Sequence, residues 1–139
     1  MHPLPLAQII QTVLDAFPDT QGIYLYGSYA AGDQNADSDV DLAILLPHPS
    51  ANKARTLYFS DLFTQLSRLL ERELDLINLR LAPTVLGNEI VSKGRRIFCG
   101  DEAACDEFDA LNLSYYQKLN EERSKILADF LRTKRAYAV

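Results

Sequence analysis

Alternating strand and helix signals predict an α/β (α+β) sandwich built on a small mixed sheet of about four strands packed by helices. Three observations carry this expectation. Short apolar runs at Ile23–Tyr26 and Leu42–Leu46 have strand length and are bounded by turn residues. Leu74–Leu79 reads Leu-Asp-Leu-Ile-Asn-Leu, the alternation of a half-buried strand. Between and around these runs, apolar residues recur at helical spacing.

In chain order, Leu6, Ile9, Ile10, Val13, Leu14 and Phe17 fall on one helical face. Pro5 suits the entry to that helix, and Pro18-Asp19 ends it. Ile23–Tyr26 is the first strand, stopped by Gly27. Residues 28–38 hold Gly32, Asp33, Asn35 and Asp37 and read as loop, with room for a helical turn at its start; the acids and Ser38 there suit local turn bonding. The second strand covers 39–46. It is apolar after its opening carboxylates, as expected of a central strand buried on both faces. Pro47-His48-Pro49-Ser50 reads as a break. Residues 53–72 then read as one long amphipathic helix with Leu57, Phe59, Leu62, Phe63, Leu66, Leu69 and Leu70 inward. The third strand is 74–79. A shorter helix covers 83–92, with Gly94 just past its end, and an edge strand covers 96–99. From 102 to about 132 the chain reads as one long helix, interrupted near Glu122. Phe108, Leu111, Tyr115, Leu119, Ile126 and Phe130 share its buried face, and Tyr115 and Tyr116 serve as packing residues.

The bulk numbers narrow the function. The 139 residues suit a single domain, 1–139, and 47% hydrophobic with 24% charged residues suits a soluble globular one. A formal charge of −5 argues against binding long nucleic acid, whose partners are basic. The N-terminus lacks a signal-peptide pattern, and no apolar run approaches the ~20 residues of a membrane span. Cys99 and Cys105 match no zinc or redox motif and read as small buried hydrophobes in a reducing cytoplasm. The only histidines are His2 and His48, which disfavours a Ser-His-Asp triad or a histidine zinc site.

The chemistry concentrates in Gly27-Ser28, ten residues, then Asp39-Val40-Asp41. Asp39 and Asp41 lie two apart on a strand, on one face, roughly 6.6 Å apart along it. Two carboxylates converging on one point repel, and a cation relieves them. Mg²⁺ suits such oxygen ligands and shares its shell with substrate phosphates. Asp75, alternating against the core on the next strand, completes a set of three acids and is the candidate general base. Asp61, Glu71 and Glu73 are its rivals. Gly27 lets backbone approach a phosphate, and Ser28 with the amides after it donates to phosphate oxygens. Arg95 and Arg96 are either phosphate contacts or solvent-facing.

This motif, in the forms Tyr26-Gly27-Ser28-Tyr29-Ala30-Ala31-Gly32 and Ser38-Asp39-Val40-Asp41-Leu42, resembles that of the DNA polymerase β-like nucleotidyltransferase superfamily. It is especially similar to the minimal nucleotidyltransferases that act as antitoxins against HEPN-domain ribonuclease toxins, over almost the whole chain. The resemblance implies a polymerase β palm-like fold with a long C-terminal helix. It also implies Gly27 and Ser28 on the triphosphate and Asp39, Asp41 and Asp75 on Mg²⁺. The expected reaction transfers AMP from ATP to a tyrosine of the partner toxin, in the cytoplasm.

Two other readings compete. The chain is a stoichiometric antitoxin that occludes its partner through the C-terminal helix, whose Lys118, Arg123, Lys125, Arg132, Lys134 and Arg135 form either a solvated face or a docking surface. Or it is a small-molecule nucleotidyltransferase that modifies antibiotics, a class that usually carries a further domain for the acceptor.

Overall fold

The computed structural model describes residues 4–27, 39–57 and 60–137. The first helix, α1 (Leu6–Ala16), begins after Pro5, whose fixed φ pre-sets the turn, and buries Ile9 and Val13. It ends at Phe17, beside Pro18. β1 (Gly22–Tyr26) is buried along its whole length. β2 (Val40–Leu45) runs antiparallel to it, with Tyr26 opposite Asp41 and Gly22 opposite Leu45. β3 (Leu74–Asn78) lies parallel to β2 and sets Asp75 beside Asp41. β4 (Arg95–Cys99) flanks β1 antiparallel. The sheet order is β3-β2-β1-β4, so β1 and β2 are the inner strands, which is why both are nearly continuous apolar runs.

One stretch departs from the sequence expectation. The Pro47-His48-Pro49-Ser50 break is the start of a helix, α2 (His48–Ala54), with Pro47 at its N-cap position and Pro49 in its first turn. Proline is tolerated there because first-turn N–H groups have no intrahelical partner. The expected long helix over 53–72 is therefore two. Arg55 at φ 51° closes α2, and a new helix, α3 (Asp61–Leu70), begins after Ser60. The Ser60 hydroxyl accepts from the Phe63 N–H at 3.1 Å, a capping bond that opens a helix rather than continuing one. Asn78 fastens the end of α2 from β3, donating to the carbonyls of Ala51 at 3.0 Å and Arg55 at 2.9 Å.

A 3₁₀ turn (Leu79–Leu81) leads to α4 (Thr84–Lys93), and after β4 the chain ends in α5 (Glu102–Tyr137). The core has two layers. α1 and α3 cover one sheet face, formed by Ile23, Leu25, Val40, Leu42, Ile44, Leu74 and Leu76. On the other face Tyr24, Tyr26, Ala43 and Leu45 pack with Ile90 of α4 and with Cys105 and Phe108 of α5.

α5 is pinned to the sheet by Asp109. Tyr24 Oη donates to it at 2.8 Å and Arg96 Nη2 at 2.6 Å, with the guanidinium 5.7 Å from the Tyr24 ring centroid. Burial and the Asp109 carboxylate push the Tyr24 phenol well above its ordinary value. Arg96 is thus a structural anchor, held by Asp109 and, at 3.4 Å, by Asp106.

The rest of α5 corrects two expectations. The helix passes Glu122 without interruption and continues beyond 132 to Tyr137. Its apolar stripe packs only along the first half, where Phe108 and Leu119 are half-buried. Tyr115, Ile126 and Phe130, by contrast, are 59%, 69% and 61% exposed, so Tyr115 is a surface residue. The reason is length: the helix outruns the small sheet it packs on.

Candidate active site

Strand register builds the site. Tyr26, Asp41 and Asp75 occupy one row across β1, β2 and β3, on the sheet face that carries Tyr24, Ala43 and Leu45. Adjacent strands lie about 4.8 Å apart, so the two carboxylates begin as immediate neighbours. Tyr26 Oη reaches across the row and donates to Asp75 Oδ2 at 3.0 Å. Asp39 stands just before β2, exposed at the mouth of the strand pair.

The charges feel one another. Asp41 is half-buried, and its pKa is raised above the ordinary 3.8, first by desolvation, then by the charge of Asp75, then by that of Asp39. Raising from both neighbours marks an anionic cluster that favours a bound proton or cation. Of the rivals to Asp75, Asp61 opens α3, and Glu71 caps its other end at φ 53°. Glu73 precedes β3 and ties in the strand through its carbonyl, which accepts from Val40 N–H at 2.9 Å.

Gly27 follows Tyr26 directly, at φ +71°, in the left-handed region that favours glycine. A Cβ here would collide with Asp41 Oδ2 and stand 3.1 Å from Asp41 Cγ. The turn therefore brings backbone against the acidic row. Ser28, Asp33, Asp37 and Ser38 lie outside the described residues.

These observations test the fit to Mg²⁺. Among the described residues, no three His, Cys, Asp or Glu side chains come together closely enough to hold a metal ion by themselves. The donor chemistry nonetheless suits Mg²⁺, which takes oxygen ligands, binds through one or two carboxylates, and completes its shell with water and substrate phosphates. Asp41 and Asp75 form an adjacent pair of that kind, with Asp39 at the rim.

The sequence pattern of the family described as polymerase beta, nucleotidyltransferase matches residues 8–103, which include all four strands and the acidic row. The chain belongs to the polymerase β nucleotidyltransferase family. This nucleotidyltransferase is 35% identical over 131 residues to the protein adenylyltransferase MntA of Shewanella oneidensis, across 94% of this chain and 91% of that one. Its fold is similar to a chain of a toxin–antitoxin crystal structure with AMP-PNP, at TM-score 0.72 and 32% identity, over 92% of this chain and 99% of that one. It is also similar to a chain in the structure of the tri-AMPylated Shewanella oneidensis HEPN toxin with its MNT antitoxin. There the TM-score is 0.65 at 30% identity, over 91% and 95% of the two chains.

Residue types alone did not reveal Tyr26 as the partner of Asp75, because strand order is needed to see it. The one available signal is the position of Tyr26 two before Ser28, at the end of an apolar strand. No helix among the described residues is long and apolar enough to cross a membrane.

Proposed function

We propose that this nucleotidyltransferase is an antitoxin that transfers AMP from ATP to a tyrosine hydroxyl of a HEPN ribonuclease, silencing it in the cytoplasm. One observation carries the reading: Asp41 and Asp75 are strand neighbours beside a left-handed Gly27, with Asp41 charged against both other acids. The relatives support it by what they are: an adenylyltransferase, a complex with an ATP analogue, and a complex with an AMPylated toxin.

Gly27 and Ser28 would cradle the terminal phosphates, since backbone at a residue without Cβ approaches an anion closely. Asp39, Asp41 and Asp75 would hold Mg²⁺, which when bound neutralises both the carboxylates and the triphosphate. Asp75, oriented by Tyr26, accepts the proton of the acceptor hydroxyl. The phenolic oxygen then attacks the α-phosphorus and the bond to pyrophosphate breaks. Fixed alignment of the two reactants supplies much of the rate.

The test combines the chain, its cognate toxin and α-labelled ATP with Mg²⁺. Label on the toxin is expected, and none with the Asp39→Ala, Asp41→Ala double variant. A second reading, occlusion without chemistry, draws on the exposed apolar residues of α5. Co-expression separates them: full protection of cells by the double variant means occlusion, and growth arrest means transfer.

A further inference from the structure

The two cysteines, six positions apart, do not behave as separate hydrophobes. Cys99 ends β4, Cys105 sits in the first turn of α5, and their sulfurs stand 3.3 Å apart. The frame around them is well tied. Cys99 pairs with Gly22 across the sheet, and the Gly100 N–H donates to the Gln21 carbonyl at 2.9 Å. The Asp101 carboxylate accepts from the Ala104 N–H at 3.1 Å, and the Asp101 carbonyl from the Cys105 N–H at 3.0 Å. Cys105 Sγ in turn donates to the Gln21 carbonyl at 3.2 Å.

Gly22 makes the contact possible. A Cβ at that position would stand 2.8 Å from Cys105 Sγ and displace it. The pair also has the asymmetry of an attacking and a resolving thiol. Cys99 is half-exposed, while Cys105 is fully buried, with its thiol pushed up to about 12, chiefly by burial. The thiolate is the reactive form, so oxidant meets Cys99 first.

We propose that Cys99 and Cys105 are a dithiol that hydrogen peroxide converts reversibly into an intramolecular disulfide between β4 and α5. The Cys99 thiolate attacks a peroxide oxygen, giving a sulfenic acid and hydroxide. The Cys105 sulfur then attacks the Cys99 sulfur. The S–O bond breaks, and the proton of Cys105 leaves in water. Two thiols lose two electrons and peroxide becomes two waters. The pair lies at the Gly22 end of β1 and the acids at its Tyr26 end, about 13 Å along the strand. The disulfide is therefore independent of the proposed transfer chemistry.

The experiment treats the full-length reduced chain with hydrogen peroxide and follows intact mass and thiol titre. Loss of two hydrogens is expected, with a fall from two titratable thiols to none and full recovery in dithiothreitol. Cys99→Ser should lose no hydrogen and keep its remaining thiol. Cys105→Ala should instead gain two oxygens at Cys99 as the sulfinic acid. Addition of oxygen to Cys99 in the unsubstituted chain, with Cys105 still titratable, overturns the proposal. Disulfide-linked dimers in place of the intramolecular product overturn it equally.

Discussion

Replacing Asp41 with Asn keeps the shape of the side chain and deletes the charge at the centre of the acidic row. Asp75 lies beside it in register and Asp39 two residues before it. Two unit charges about 5 Å apart repel by about 0.8 kcal/mol at the dielectric of water and about 3 kcal/mol at an effective value of 20. Asp41 and Asp75 are only half-buried, so solvent screening favours the lower figure. The variant should gain about 1 kcal/mol in chelator at pH 7, a rise of about 3 °C in melting temperature for a chain of this length. The sign follows from linkage. The native pKa of Asp41 is raised above 3.8, so the native state holds the proton more tightly than the unfolded one. Native stability therefore falls as pH rises from 3.8 through the raised value, and the penalty is complete above it. The Asn variant loses that part of the slope. Scanning calorimetry in chelator across this range checks the stability, and labelled ATP with the toxin checks transfer, which should disappear. A variant melting below the parent in chelator at pH 7 would refute the electrostatic argument, because Asp41 would then be held by attraction.

The remaining predictions address the support of the same row. Gly27→Ala should cost about 1–2 kcal/mol for a non-glycine residue at positive φ and abolish transfer through its clash with Asp41; urea unfolding and the labelling assay read the two effects. Tyr26→Phe should cost up to about 1 kcal/mol in stability and lower kcat more than it alters KM for ATP, because it removes the hydroxyl that donates to Asp75 and keeps the ring; unchanged kcat would remove Tyr26 from the mechanism. Asp109→Ala should cost about 1–3 kcal/mol, since it removes the acceptor of the Tyr24 hydroxyl and leaves the Arg96 guanidinium with the longer contact to Asp106 at 3.4 Å, and should loosen α5 in hydrogen exchange. Equal protection of α5 in both proteins would show that the helix is held by packing alone.

Much of the architecture was legible because it depends on local signals. Apolar runs of strand length gave β1 to β3, and Gly94 closed α4 where expected. The stretch from 47 to 72 was misread for a physical reason. A proline pair breaks a helix in its interior but starts one at its first turn, and only the fold says which applies. Ser60-Asp61 was the overlooked sign that a second helix begins there. The outer half of α5 was read as packed because helical spacing of apolar residues does not say whether anything lies opposite.

For the site, spacing along the chain already placed Gly27 at the end of one strand and Asp39 and Asp41 at the start of the next, since the apolar runs on either side are local signals. The neighbour of Asp41 on the next strand is another matter. Asp75 stands 34 residues later in the chain, and strand alternation favours it over Glu73 and Asp61 without saying which strand lies beside β2. The parallel pairing of β2 with β3 is what puts Asp75 beside Asp41, and the Tyr26 bond spans all three strands to reach it. The contact between the cysteine sulfurs arises in the same way, from an edge strand and a helix start brought together by the chain reversal at 100–101. Periodicity and turn chemistry act over a few residues and are written in the sequence; register and layer packing act across the whole chain and exist only once it has folded.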